Sequence, residues 1–184
     1  MNKSLLGLAI SALFMMGAAH AEVNPNDVSA TLSVTGSVTH QVNCAVKISS
    51  SVVNLSADIE TMAKQGAAGS QDIQTVEISL GGDEECQTKA GAGEIAYSFQ
   101  GTADSADKTS IANTDLSANA ATGVGIALYD VKNDKRVIKI NQDTMAINSS
   151  NTVDHLGLAL VKLNNQEVKA GSVNGSVTIQ IEHI

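Results

Sequence analysis

The stretch Val28-Ser-Ala-Thr-Leu-Ser-Val-Thr-Gly-Ser-Val38 decides how the rest of the chain is read. Apolar Val28, Ala30, Leu32, Val34 and Val38 alternate with polar Ser29, Thr31, Ser33 and Thr35. A period of two puts the apolar set on one face of an extended chain, the pattern of a half-buried β-strand. Its position is unusual, because terminal segments are poorly ordered unless a sheet ties them down. On the residues alone two readings stand open: the first strand of the chain's own domain, or a strand that serves another molecule.

Upstream of it, Met1-Asn-Lys3 supplies a positive start, Leu5 to Gly17 is apolar, and Ala19-His-Ala21 offers the small residues a signal peptidase reads. The run is shorter than the roughly 20 residues of a membrane span. Residues 1–21 are therefore expected to be a cleaved signal peptide, the only helix expected in the chain. Cleavage before Glu22 leaves 163 of the 184 residues, which suits one domain. No other apolar stretch is long enough to cross a bilayer, so no membrane span is expected in the mature chain.

Export gives the cysteine count meaning. Cys44 and Cys86 are the only two, and in an oxidising compartment they read as one disulfide. Metal ligation needs more ligands than two isolated cysteines provide. Closing a loop of this length removes unfolded-state entropy worth about 4 kcal/mol in the chain-entropy account.

The net charge of −8 becomes −9 when Lys3 leaves with the signal, and only 2% of residues are aromatic. That balance excludes a nucleic-acid binder, which needs a basic face and stacking platforms. It also points to an aliphatic core of Val, Ile, Leu and Ala.

Taken in order, Cys44–Ile48 alternates, followed by Val52-Val-Asn-Leu55. Residues 56–71 read as loop with a short helical turn near Ile59 to Ala63. Ile73–Leu80 is a strand stopped by Gly81-Gly82-Asp83, with Asp83-Glu-Glu85 as an acidic turn leading into Cys86. Glu94–Gly101 is a strand, Thr102–Asn113 a polar loop, and Ile111–Leu116 a short strand. Gly123–Asp130 and Arg136–Ile140 flank a turn at Lys132-Asn-Asp-Lys135, a hairpin. Val153–Leu163 and Gly171–Ile184 are the last strands, with Val173, Val177, Ile179 and Ile181 on one face. Short strands at near-regular spacing between Gly, Asn and Asp turns predict an all-β sandwich.

Four features resemble the type 1 fimbrial protein family, the subunits of chaperone–usher pili. They are Gly36-x-Val38 leading to Cys44 with a second cysteine about forty residues on; Phe99-x-Gly101-Thr-Ala103-Asp104; Gly123-Val-Gly-Ile-x-Leu-x-Asp130; and Ala170-Gly171-x-Val173 before an alternating strand to Ile184. Two departures concern the subunit class: His183 stands where the family usually has an aromatic residue, and the Gly-to-Cys spacing is one residue longer than in common major pilins.

The resemblance implies an incomplete immunoglobulin-like sandwich that lacks its last strand and is completed by donor-strand exchange. Residues 22–35 are then the donor-strand extension and residues 36–184 the pilin domain. Val28, Leu32 and Val34 would fill deep pockets of a neighbour's groove, and Ala30 a shallow one. Val173, Val177, Ile179, Ile181, His183 and Ile184 would form the groove edge on which a periplasmic chaperone docks, with the Ile184 carboxylate held by basic chaperone residues. The partners implied are that chaperone, an outer-membrane usher and neighbouring subunits, at the cell surface and in the service of adhesion. A minor adaptor subunit, or a secreted monomeric carbohydrate-binding sandwich, are the alternative readings.

Nothing in the sequence recommends an enzyme or a cofactor. His20 leaves with the signal, His40 and His155 lie on strands, and no Gly-x-Ser-x-Gly elbow presents a nucleophile. Asp83-Glu-Glu85 lacks the ligand spacing of a calcium loop. Gly91-x-Gly93 and Gly123-x-Gly125 lack the remaining glycine of a nucleotide fingerprint.

Overall fold

A computed structural model describes residues 35–36, 42–68, 72–147 and 153–184. The chain divides into two compact units, Met1–Thr39 and His40–Ile184. The expected signal peptide, the expected donor residues Val28, Ala30, Leu32 and Val34, Val38 and His40 lie outside the described residues. The described strands and helix all belong to the second unit.

Among the described residues, nine strands and one helix follow one another as β1 (Cys44–Ile48), β2 (Gln74–Gly82), α1 (Glu84–Ala92), β3 (Ile95–Gly101), β4 (Ile111–Ala112), β5 (Val124–Asp130), β6 (Arg136–Ile138), β7 (Thr144–Ala146), β8 (Asp154–Lys162) and β9 (Val177–His183). One sheet has the order β1-β2-β8-β5-β4, with β6 also on β5; the other has the order β7-β3-β9. Every pair among these strands is antiparallel. The register follows the sequence alternation: Ile78, Leu128, Leu156 and Ile138 from the first sheet are buried in one core cluster with Ile95, Tyr97 and Phe99 from the second. This is the expected sandwich.

The core departs from a purely aliphatic one. Tyr97, Tyr129 and Phe99 are the largest fully buried side chains. Composition counts few aromatics but does not say where they fall, and these three lie on strands buried on both sides. Burying roughly 150 Å² or more apiece, aromatic residues dominate a small core even when scarce.

Several expected boundaries shift, each for a local reason. The acidic turn expected at Asp83-Glu-Glu85 is instead the start of α1. The Asp83 carboxylate accepts from the Cys86 N–H at 2.8 Å, Glu84 and Glu85 occupy the first turn, and Lys89 the last. Gly93 closes the helix in a left-handed conformation, φ 73°. An aspartate cap, early acids, late base and terminal glycine make a complete set of start and stop signals. A turn reading weighs the acids only as charges.

β2 does not stop before Gly81 but runs through Gly82, which stands opposite Cys44. A Cβ at Gly82 would lie 2.3 Å from the Asn43 carbonyl oxygen, at φ 146°. Glycine thus lets two backbones meet beside the Cys44–Cys86 disulfide, whose Cα atoms are 5.5 Å apart. The expected bridge is present. Val52–Leu55 forms no strand, β4 ends at Ala112, and three-residue β7 is too short for alternation to announce it.

The loop after β3 is built on one buried carboxylate. Asp104 Oδ1 accepts from the N–H groups of Ala106, Asp107 and Lys108, and Oδ2 from those of Thr109 and Ser110. The Gln65 amide adds a bond to Oδ2 at 2.9 Å, while its carbonyl oxygen accepts from the Asn164 N–H. Burial by itself raises the Asp104 pKa, but the bonds from Ser110, Gln65, Ala106 and Lys108 outweigh it and hold the carboxyl below the usual range. A depressed folded pKa contributes stability that is full above about pH 4 and is lost as pH falls through the folded value. Asp104→Asn should therefore cost about 2 kcal/mol at neutral pH, because an amide NH₂ then faces N–H donors. It should also flatten the acid limb of stability. Denaturant melts at neutral pH and at low pH check both.

Candidate functional site

Among the described residues the two sheets do not close along one side. There the rims are formed by β1 with the segment after it, and by β9 with the segment before it. The cleft between them has two adjoining lobes. One, of about 340 Å³, is lined by Val46, Val53, Leu55, Ile126, Leu158, Val177 and Ile179 among others. The second continues past Leu160 to residues 171–175, which face Ser51 to Ala57.

The burial pattern along both rims is the informative feature. Val42, Cys44, Val46, Val53 and Leu55 pack against the core cluster, as do Val173, Val177, Ile179 and Ile181, yet all are only partly buried. Elsewhere inward-facing strand residues such as Ile78 and Leu128 are fully covered. Two rows of apolar side chains thus line a furrow between edge strands.

The backbone of the β9 rim points the same way. The Ile184 N–H donates to the Glu94 carbonyl at 2.9 Å, so even-numbered residues bond towards β3. By the two-residue alternation of an antiparallel ladder, the peptide groups of Val177, Ile179, Ile181 and His183 then face outward. Upstream the parity holds: Thr114 N–H donates to the Asn174 carbonyl, and Ala121 N–H to that of Ser172. Among the described residues, Val173 and Gly175 have no backbone hydrogen-bond partner. An edge whose peptide groups are unbonded among the described residues, above an apolar furrow, can accept a further strand through its backbone while pockets sort side chains.

The expected edge residues are only partly brought together. Val177 and Ile179 line the first lobe and Val173 the second. Val173 is not in the last strand as expected: residues 171–176 precede β9, because the peptide groups of Ser172 and Asn174 bond to loop 113–121 in place of β3. Ile181 is half-buried but lines neither lobe, and His183 and Ile184 are exposed beyond it. The opposite rim, Val46, Val53 and Leu55, and the floor residues Ile126 and Leu158 are not among the expected site residues. The alternation of Val42, Cys44 and Val46, resumed at Val53 and Leu55, is the sequence signal for that rim.

Other groups weighed from the sequence are tied up structurally. Asp154 is buried and pairs with Lys132 at 3.3 Å, and His155 stands opposite Glu77. Among the described residues no cluster of three metal-ligating side chains occurs, and no helix is long and apolar enough to cross a membrane.

A family model described as "Fimbrial protein" matches residues 32–183. Among solved structures, the P pilus rod subunit PapA aligns with a TM-score of 0.52 at 11% identity, covering 85% of this chain and 100% of that one. The P pilus adaptor subunit PapF aligns with a TM-score of 0.41 at 13% identity, over 77% and 95% of the two chains. The likeness to PapA is one of fold. No curated protein matches the chain.

Proposed function

This chain belongs to the fimbrial protein family, and from that premise we propose that it is a structural subunit of a bacterial surface pilus, polymerised by donor-strand exchange. The extension 22–35 of one copy lies in the furrow of the next, so that Val28, Ala30, Leu32 and Val34 meet the partly buried rims. A periplasmic chaperone covers the furrow first and an outer-membrane usher exchanges it for a neighbour's strand. Adhesion of the cell is the outcome, and no catalysis is involved.

The observation that supports this reading is the furrow: two apolar, half-exposed rims, with the outward peptide groups of the β9 rim carrying no further strand among the described residues. Fully burying a Val or Leu side chain is worth about 1.5–3 kcal/mol, while fixing a residue's backbone costs about 1–2 kcal/mol. A lone extension segment therefore gains from the furrow only when its apolar set and its ladder bonds are satisfied together.

A peptide copying residues 26–36 tests this on the refolded full chain. It should raise the thermal unfolding midpoint as its concentration rises, the folded state gaining about 2.7 kcal/mol at a hundredfold excess over Kd. A scrambled peptide should leave the midpoint alone. Equal effects of the two peptides would contradict the reading.

A further inference from the structure

The rim formed by residues 171–175 is not held by a sheet; a polar strap from loop 113–121 holds it. Ser172 N–H donates to the Asn119 carbonyl at 2.9 Å, and the Ser172 carbonyl accepts from Ala121 N–H at 2.9 Å and from the Asn113 side-chain amide at 3.0 Å. Asn174 N–H donates to Asn113 Oδ1 at 2.9 Å, and its carbonyl accepts from Thr114 N–H at 2.8 Å. The outermost tie is between side chains: the Ser172 hydroxyl donates to the Asp115 carboxylate. That carboxylate also accepts from the Ser117 N–H at 2.8 Å, which fixes its own position. The segment lies so close to the loop that a Cβ at Gly171 would be 2.2 Å from the Asn119 carbonyl oxygen.

The strap uses the peptide groups of Ser172 and Asn174 and leaves those of Val173 and Gly175 turned towards the furrow. An unsupported five-residue stretch containing Gly171 and Gly175 would sample many conformations, and glycine more than any other residue. Only the extended one presents Val173 inward and turns the peptide groups of Val173 and Gly175 towards the furrow in register with β9.

We propose that Asp115 and Ser172 are positioning residues that keep this rim in its strand-accepting conformation, so that an incoming strand finds a preformed edge. The inference rests on the strand-acceptor reading above. Binding to a state that is populated only part of the time is weakened by that fraction. Releasing this tie thus slows capture before it affects the fold, since the Asp115–Ser172 bond is exposed and neither residue belongs to a core cluster.

The test uses full chains that also carry Leu32→Asp, so that their own extensions do not compete, and a fluorescent peptide copying residues 26–36 of the unaltered sequence. Asp115→Ala and Ser172→Ala should each slow peptide association about tenfold, as expected for loss of a charge-assisted bond. The double variant should be slowed by less than the two single effects combined, because the shared Ser172–Asp115 bond is lost in all three. Asp115→Asn, which retains an acceptor for the hydroxyl, should recover most of the rate. Amide exchange should quicken at residues 171–175 and not in β5 or β8. Association rates equal to that of the parent chain, or additive slowing in the double variant, would overturn the positioning role. A parent chain that fails to bind the peptide at all would instead sink the strand-acceptor reading, and this inference with it.

Discussion

Leu32→Asp is expected to give a subunit that folds and accepts a neighbour's strand, yet cannot cap the furrow of the next copy. The substitution falls in the proposed donor segment, not in either rim. Val46, Val53, Leu55, Val177 and Ile179 keep their places. In the acceptor, however, the new side chain must enter a furrow whose walls are Val, Leu and Ile. It forfeits the 1.5–3 kcal/mol, roughly, of burying leucine and adds the desolvation of a carboxylate with no partner. A combined loss above about 4 kcal/mol weakens strand binding roughly a thousandfold or more. Fibres should vanish while soluble, folded subunit persists, as judged by electron microscopy and by circular dichroism of periplasmic material.

Breaking the disulfide should act on stability, and through it on the furrow. Cys44 opens β1, the edge strand of its sheet, whose ladder partner among the described residues is β2. Cys86 is fully buried in α1. The bridge therefore ties one rim of the furrow to a helix packed against the core. Either Cys→Ser change should cost about 2–5 kcal/mol, a large part of the stability of a domain this size. The denaturant midpoint should fall accordingly, and less subunit should accumulate in the periplasm. Unchanged midpoints in both variants would show that β1 is held by its ladder alone.

The sandwich and one rim are legible in the sequence because both rest on period-two alternation. Val177, Ile179 and Ile181 read directly as one face of a terminal strand, and the hairpin from Gly123 to Ile140 announces its own turn. The opposite rim is harder. Val53 and Leu55 alternate but belong to no strand, so their pairing with residues 171–179 is a tertiary fact that no local pattern carries. α1 escapes a sequence reading for a different reason: Asp83, Glu84 and Glu85 read as charges, when their order before Lys89 and Gly93 is capping chemistry. Val173 reads as part of the last strand because its alternation is in phase with β9. The phase is correct, but its neighbours Ser172 and Asn174 spend their hydrogen bonds on Asn113, Thr114 and Asn119, partners about sixty residues away in the chain. The donor residues Val28, Ala30, Leu32 and Val34 rest on sequence alone.

Exchange of a strand between molecules is tested most directly by mixing two chains, each defective in one half of the joint. Leu32→Asp spoils the donor and leaves the furrow; Val177→Asp places a charge in the furrow and leaves the donor. Neither should polymerise alone. Mixed, they should form a one-to-one dimer and nothing larger, because a single good donor meets a single good furrow. Native mass spectrometry of the mixture reads this directly. If the mixture stays monomeric, or if Leu32→Asp abolishes folding of the isolated chain, residues 28–34 are a strand of their own domain and the polymer account is wrong.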